Sequence, residues 1–155
     1  MSTMTVTIEE IRGLDKAIAA FGEVLVREQI PAAFARFGVA VQHAARGIVS
    51  VDTGELRKSI SVDLFETNRT QGVEIGPTQP YGAGVEYGRP PHVVSPKALE
   101  GWARRRGLNP YAVARSIAKK GTKAHPYLIP SFEAELPNVE GLIFEAADEA
   151  FRAMQ

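Results

Sequence analysis

The chain has 155 residues and a mass of 16.8 kDa, the size of one ordinary domain, which excludes a large enzyme with separate cofactor and substrate domains. Hydrophobic residues make up 45% and charged residues 23%, so the composition is that of a globular protein and excludes a disordered or low-complexity chain. The 18 basic and 18 acidic side chains cancel, which argues against a dedicated, strongly basic nucleic-acid binder.

The first third of the chain predicts two long helices or one kinked helix. Apolar residues recur at every third or fourth position over 8–25 and again over 34–48, which places them on one helical stripe. Thr7 is the predicted N-cap. Pro31 predicts an interruption between the two stripes, because proline lacks the N–H and its ring clashes with the preceding turn.

Between residues 58 and 88 the apolar period changes to two, which predicts β-structure. Alternation over 60–64 and 73–75, around a polar turn, predicts a hairpin with one buried face. A third short strand is predicted over Ala83 to Tyr87. Antiparallel strands packed against a long helix predict an α+β fold, with a small antiparallel sheet as its second layer.

Two short helices are predicted next. Ser95-Pro96 and Asn109-Pro110 are typical helix starts, and Gly107 and Gly121 are typical helix ends. The large ring of Trp102 is expected to anchor the first of these helices in the core or at an interface.

The C-terminal region predicts an extended segment followed by a helix. Residues 126–130 contain two prolines and predict extended backbone. From Ser131 a helical pattern runs to the end of the chain, and Pro137 predicts a kink. No internal repeat or long linker divides the sequence, so residues 1–155 are predicted to form a single domain. The chain is expected to be intracellular and soluble.

The zero net charge hides a separation of charge along the chain. Residues 91–124 contain eight basic side chains against Glu100 alone, whereas residues 125–155 contain Arg152 against six acids. The two segments therefore carry +7 and −5. Opposite charges on different faces favour association between neighbouring copies.

No arrangement of residues predicts catalysis. The absence of cysteine excludes thiolate chemistry, and His43, His92 and His125 have no ligand spacing. Asp52 has no convincing titratable partner for acid–base work. We therefore predict no enzyme, no catalytic residue, no metal and no cofactor. Locally, Asp52 or Thr53 is expected to cap a short turn, with Gly54 allowing its tight geometry.

Four segments in order, over 52–60, 73–76, 81–88 and 121–130, resemble the signature of the phage tail-completion proteins at the head-tail junction of long-tailed phages, the family that includes the lambda minor tail protein Z. The resemblance covers roughly residues 5 to 150. The residues that carry it are Asp52, Thr53, Gly54, Leu56, Arg57, Ser59, Gly76, Tyr81, Glu86, Tyr87, Gly88, Pro126, Tyr127 and Pro130.

The sequence departs from the family pattern at two places. After Gly88, where the family commonly has a small hydroxyl residue, Arg89 precedes two prolines. A helical insertion at about residues 95–120 is found in only part of the family. These departures concern the partner surface and the geometry of a ring, and they leave the expected fold unchanged.

The resemblance implies a structural virion protein that completes the tail and joins it to the DNA-filled head. The implied partners are a tail terminator and a head-closure protein, and the implied assembly is a ring, with six copies to match the tail tube. The implied location is the virion neck, with the host cytoplasm as the site of assembly. No membrane partner is implied.

The basic segment leaves several interpretations open. Its side chains could meet the acidic C-terminal helix of a neighbour, line a DNA channel, or form solvated helix faces. A cytoplasmic DNA-associated or regulatory binding module is the alternative function, because two short helices joined by a tight turn superficially resemble a helix-turn-helix. The candidate interface or channel residues are Arg104, Arg105, Arg106, Arg115, Lys119, Lys120 and Lys123.

Overall fold

A long, interrupted helix forms the N-terminal part of the protein. The computed structural model describes residues 8–68 and 70–155, with side chains from residue 16 onward. Helix α1 spans Ile8–Val24 and helix α2 spans Ile30–Ile48, and one π-helical turn, Leu25–Gln29, joins them. Pro31 lies in the first turn of α2. Because proline has no N–H, it cannot donate the regular backbone hydrogen bond to the preceding turn, and a π turn stands there in place of regular α-helix. The predicted interruption is confirmed; the predicted N-cap, Thr7, lies outside the described residues.

The sheet is one antiparallel hairpin packed on α2. Strand β1 spans Ile60–Glu66 and strand β2 spans Gln71–Pro77, with Ile60 opposite Pro77 at one end and Glu66 opposite Gln71 at the other. Gly38 allows the close approach of helix and sheet, because a Cβ atom there would lie 2.5 Å from Val62 Cγ1. The predicted α+β fold, with a long helix on a small antiparallel sheet, is confirmed.

The predicted third strand is wrong. Gly82–Tyr87 forms a short helix, here α4. Val85 packs against the core and its neighbour Glu86 is buried, so two consecutive side chains face the interior. A strand would send them to opposite faces, whereas a helical turn accommodates both. Alternation over five residues could not distinguish these two geometries.

Helices α5, Pro96–Arg105, and α6, Pro110–Lys120, form a helical hairpin with each other as main packing partner. The Asn109 side chain caps α6 by accepting hydrogen bonds from the N–H groups of Tyr111, at 2.9 Å, and Ala112, at 3.4 Å. Gly107 and Gly121 have φ values of +65° and +75°, where glycine is favoured, and they end the two helices. The two predicted short helices are confirmed.

The C-terminal region is helical from Leu128 onward. Helix α7 spans Leu128–Glu135, a 3₁₀ turn spans Leu136–Asn138, and helix α8 spans Val139–Arg152. The prediction of extended backbone over 126–130 is therefore wrong for 128–130, because Pro130 lies in the first helical turn, where no N–H is required. The predicted kink at Pro137 is confirmed as the 3₁₀ turn.

One cluster of the buried core lies at one end of the hairpin, and further buried residues, such as Phe37 and Val41, lie along α2. The cluster consists of Ala45, Val49, Leu56, Ile60 and Tyr127. These residues come from the C-terminal end of α2, the short helix α3 (Glu55–Lys58), the start of β1 and the segment that precedes α7. Within 8–68 and 70–155, none of the helices has the length and apolar character needed to cross a membrane.

Candidate functional site

The four segments that carry the family resemblance converge on one packed unit, which we call the motif junction. The segment over 52–60 contributes Leu56 and Ile60, the segment over 73–76 contributes Ile75, and the segment over 81–88 contributes Val85. The segment over 121–130 contributes Tyr127 and Leu128. The four segments are therefore neighbours in space as well as an ordered pattern in the sequence. The motif junction consists of Leu56, Ile60, Ile75, Val85, Tyr127 and Leu128 together with Glu86.

Glu86 is the buried carboxylate of the motif junction, and it caps α7. Its Oε2 accepts hydrogen bonds from the N–H groups of Tyr127 at 2.8 Å and Leu128 at 2.9 Å, and its Oε1 accepts from the N–H of Ile129 at 2.9 Å. The first N–H groups of a helix have no partner within the helix, and the helix dipole favours a negative charge at that end. Glu86 thereby joins α4 to α7.

Tyr127 is the largest fully buried side chain of the unit. Burial, reinforced by the negative charge of Glu86 and by Tyr81, raises the pKa of Tyr127 to about 12. The carbonyl of Tyr127 accepts a hydrogen bond from the buried Ser131 hydroxyl at 2.6 Å. The phenol is thus held neutral in the core, which suits a packing role and does not suit a nucleophile or a general base at neutral pH.

Two glycines of the motif segments allow close approach between backbones. Gly88 has φ +71°, and a Cβ atom there would lie 2.6 Å from the carbonyl oxygen of Thr122. Gly121 would bring a Cβ atom into the backbone of Arg89 and Pro90. Arg89 and Thr122 exchange backbone hydrogen bonds of 3.1 and 2.9 Å between these glycines. Side chains at either glycine would separate the two segments.

Asp52 has a partner that sequence analysis did not identify. Its carboxylate accepts hydrogen bonds from Arg105 Nε at 3.0 Å and from Arg105 Nη2. The hydrogen bonds from Arg105 hold the pKa of Asp52 below its ordinary value, and Arg106 contributes a smaller effect. The prediction that Asp52 or Thr53 caps the turn is wrong, because Gly54, with φ +84°, is the N-cap of α3, and no side chain among the described residues caps it. Asp52 instead links this turn to the α5–α6 hairpin.

The remaining motif residues lie at the periphery of the junction. Ser59 donates a hydrogen bond to the Leu56 carbonyl at 2.9 Å and so closes the end of α3. Gly76 is partly buried in β2, and its carbonyl faces the Ser61 hydroxyl at 3.4 Å. Like Asp52, the following motif residues are exposed: Thr53, Arg57, Tyr81, Tyr87, Pro126 and Pro130.

The basic residues of the α5–α6 hairpin are exposed and largely without anionic partners. Arg105 bonds to Asp52, and the Arg106 guanidinium lies 4.7 Å above the Trp102 ring, a cation–π contact. Trp102 is partly buried under this contact, as its predicted anchoring role requires. Within the described part of the chain, no ion pair involves Lys97, Arg104, Arg106, Arg115, Lys119, Lys120 or Lys123.

The acidic C-terminal helix, by contrast, finds cations in its own chain. Arg36 of α2 donates to Glu149 at 2.8 Å and approaches Glu145 at 3.5 Å. Arg152 pairs with Asp148 at 2.6 Å. The role of Arg36 could not be predicted from the sequence, because no spacing connects residues that are more than 100 positions apart. Half of the six acids of residues 125–155 are therefore already paired within the molecule.

An apolar groove of about 670 Å³ lies along the outer face of α2 beside α7. Small side chains line most of it, with Arg36 and Glu135 at its polar rim. Near it, α7 exposes Ile129 and part of Phe132, whose ring packs edge-on against Phe37, and the following 3₁₀ turn exposes Leu136. The residues that line the groove are Ala35, Arg36, Val39, Ala40, His43, Ala44 and Glu135.

Helix α8 carries a second exposed apolar stripe. Phe144 and Phe151 are seven residues apart, so they share one face of the helix. They are 68% and 57% exposed, on the side away from the buried Ala146 and Ala150. Neither residue is among the predicted site residues, because their exposure depends on how α8 packs.

The described residues contain no group of three or more histidines and carboxylates placed to hold a metal ion. Comparison of the chain with protein-family models, with curated proteins and with solved structures gave no match. The structure is therefore the basis for inferring the function. It offers a packed motif junction, exposed apolar surfaces and a cationic hairpin.

Proposed function

We propose that this protein is a structural component of a phage or prophage virion that completes the tail and joins it to the filled head. The proposal starts from the four segments that resemble the tail-completion family. The packing of these segments into one junction supports the proposal. Residues that hold a fold together explain why the four segments occur in a fixed order along the sequence. Glu86, Gly88 and Tyr127 all have structural partners in that junction.

The observation that carries the proposal is the large accessible surface, which includes exposed apolar side chains on α2, α7 and α8. The accessible surface is 11252 Å², whereas a compact monomer of 16.8 kDa is expected to expose about 7,600 Å². Removing the contribution of residues 1–15, at most about 2,400 Å² even when fully extended, still leaves an excess of more than about 1,000 Å². An obligate interface buries about 2,000 Å² or more in total from its two partners.

A second copy of this chain is the partner that this surface fits. The groove on α2, the stripe on α7 and the Phe144–Phe151 stripe on α8 lie on different helices, so one molecule presents unlike apolar surfaces. Unlike surfaces that bind each other generate rings when the rotation between copies closes. A ring at the top of the tail is the assembly that the proposed function requires.

Self-association is tested by replacing the α8 stripe. The Phe144→Ser/Phe151→Ser variant should lose the higher-mass species that wild-type protein forms on its own or on isolated tails, as measured by light scattering and electron microscopy. Tyr111→Ser, which removes an aromatic side chain that is 70% exposed on α6, is the matched control and should assemble normally. Equal assembly by wild-type protein and the α8 variant, both on their own and on tails, would contradict the proposed interface.

The assembly role is tested by deleting the coding sequence from the phage or prophage that carries it. Filled heads and full-length tails should then accumulate unjoined, and added purified protein should join them. Normal virions in the deletion would exclude the proposed function. They would favour the alternative of a cytoplasmic DNA-associated or regulatory binding module.

A further inference from the structure

We propose that the outward faces of α5 and α6 bind the phosphate backbone of double-stranded DNA without reading its sequence. This inference goes beyond the assembly role. In a head-tail joint the DNA would be the genome that passes through it, but the binding itself is tested on the isolated protein.

The outward faces of the two helices are cationic by geometry. On α5, Lys97 and Arg104 are seven residues apart and share the face away from Leu99 and Trp102, where the exposed Glu100 is the one acid of the helix. On α6, Arg115 and Lys119 are four residues apart, on the face opposite Val113 and Ile117. The apolar sides of the helices are used for packing, so these cations are left facing solvent. We call Lys97, Arg104, Arg115 and Lys119 the cationic faces.

The ion pairs of the described residues leave most of this charge unpaired. Seven of the eight basic residues of 91–124 have no ion pair among the described residues. Arg36 and Arg152 already engage Glu145, Asp148 and Glu149, which leaves Glu133, Glu135 and Glu140 of the C-terminal segment. Three carboxylates from a neighbouring copy would leave most of the seven cations unpaired. The pairing of basic hairpin and acidic helix between copies is thus the weaker interpretation.

Duplex DNA has the charge density that the cationic faces need. Helix α5 has 10 residues and α6 has 11, so each is about 15 Å long. Over that length a duplex carries about nine phosphate charges. Arg115 and Ser116 are the main polar side chains in the body of α6 that could reach base edges, so backbone contacts dominate.

The most informative variant keeps Arg105 and Arg106, because these two cations contact other residues of the chain. Arg105 bonds to Asp52 and Arg106 stacks on Trp102, so changing either residue would disturb the hairpin as well as its charge. The hairpin variant is therefore Lys97→Gln/Arg104→Gln/Arg115→Gln/Lys119→Gln. The matched control, Lys16→Gln/Arg27→Gln/Lys58→Gln/Arg152→Gln, removes the same charge at exposed positions elsewhere.

The experiment measures binding to two unrelated 30-bp duplexes by fluorescence anisotropy between 50 and 200 mM salt. Wild-type protein should bind both equally, with a slope of log K against log salt of about −3 to −6. At 50 mM salt the hairpin variant should bind more than about 100-fold more weakly, with a slope closer to zero by at least about 2, and the control variant should bind like wild type.

Three results would overturn the proposal: wild-type protein that shows no salt-dependent binding, a hairpin variant that binds like wild type, or a control variant that loses binding to the same degree. Tighter binding of polyglutamate than of duplex DNA at equal salt would also overturn it, in favour of an acidic protein partner. Light scattering on the same samples reports self-association separately, so failure of DNA binding and failure of the assembly role are distinguishable.

Discussion

The motif junction and the α5–α6 hairpin differ in whether their charged side chains have partners within the chain. In the junction, the one buried carboxylate, Glu86, accepts three backbone hydrogen bonds within the chain. In the hairpin, Arg105 alone of the cluster Arg104 to Arg106 has a carboxylate partner among the described residues. Buried charge must be satisfied internally, because desolvation is costly, whereas exposed charge can remain available to a partner. The first region therefore holds the fold together, and the second is free to bind.

The largest effect is expected at the buried carboxylate. Glu86→Ala leaves three N–H groups at the start of α7 without their acceptor, and we expect a loss of about 4 kcal/mol in the free energy of unfolding. Urea denaturation measures it. Glu74→Ala, at an exposed position of β2, is the control and should change stability by less than about 0.5 kcal/mol. A loss below about 1 kcal/mol in Glu86→Ala would mean that the junction does not depend on this cap.

The second effect depends on pH. The pKa of Tyr127 is raised to about 12 in the folded protein, above its value near 10 in an unfolded chain, so the folded state favours the neutral phenol. The neutral phenol of Tyr127 makes its full contribution to the free energy of unfolding below pH 10. That contribution is lost as the pH rises from 10 to 12, and the loss is up to about 3 kcal/mol.

Tyr127→Phe should abolish that component of the alkaline loss of stability. An ultraviolet titration of wild-type protein should contain a tyrosinate that forms only near pH 12, and the variant should lack it. If the late tyrosinate persists in Tyr127→Phe, the buried phenol is not its source.

The third test concerns the hairpin and predicts little change in stability. Arg104→Gln/Arg115→Gln/Lys119→Gln removes cations that have no ion pair in the described residues, so the free energy of unfolding should stay within about 0.5 kcal/mol of wild type. At low salt a small gain is expected from reduced repulsion. Thermal and urea unfolding at two salt concentrations measure both. A loss above about 1.5 kcal/mol would show that these cations belong to the fold, and the contrast between the two regions would fail.

The smallest effect is expected where the two regions meet. Arg105→Ala removes the hydrogen bonds that lower the pKa of Asp52, so this pKa should rise toward the ordinary aspartate value in an NMR titration. Because the Asp52 pKa is depressed, the pair contributes above the ordinary aspartate pKa and is lost as pH falls through the depressed value. Lys58→Ala, which removes an exposed pair with Glu55, should leave the Asp52 titration unchanged. An unchanged Asp52 in Arg105→Ala would disprove the link.

Local sequence rules were reliable where the cause of structure is itself local. The cap of α6 and the ends of α5 and α6 were predicted because Asn109, Gly107 and Gly121 act on adjacent backbone, whereas the Ser95 side chain makes no capping hydrogen bond to α5. The hairpin over 60–77 followed from its alternation, and Pro31 and Pro137 interrupted their helices as proline does. Each of these signals acts within a few residues of its own position.

The failures share the opposite property. Residues 83–87 form a helix because Val85 and Glu86 both need to face the interior, and residues 128–130 are helical against the expectation from two prolines. Asp52 was left without a partner because Arg105 is 53 positions away in the sequence. Contacts between distant segments produced each of these outcomes, and no local pattern contains them.

The net charge of zero shows the same difference between properties set by the local sequence and properties set by contacts between distant segments. The sequence alone determined the α+β class, the order of the main helices and the separation of charge into segments of +7 and −5. Only the tertiary structure decided which of those charges are used. Packing of α8 beside α2 places Arg36 against Glu145 and Glu149, and so consumes negative charge, while α5 and α6 turn their cations outward. Pairing depends on distances in space, and those exist only once the chain is folded.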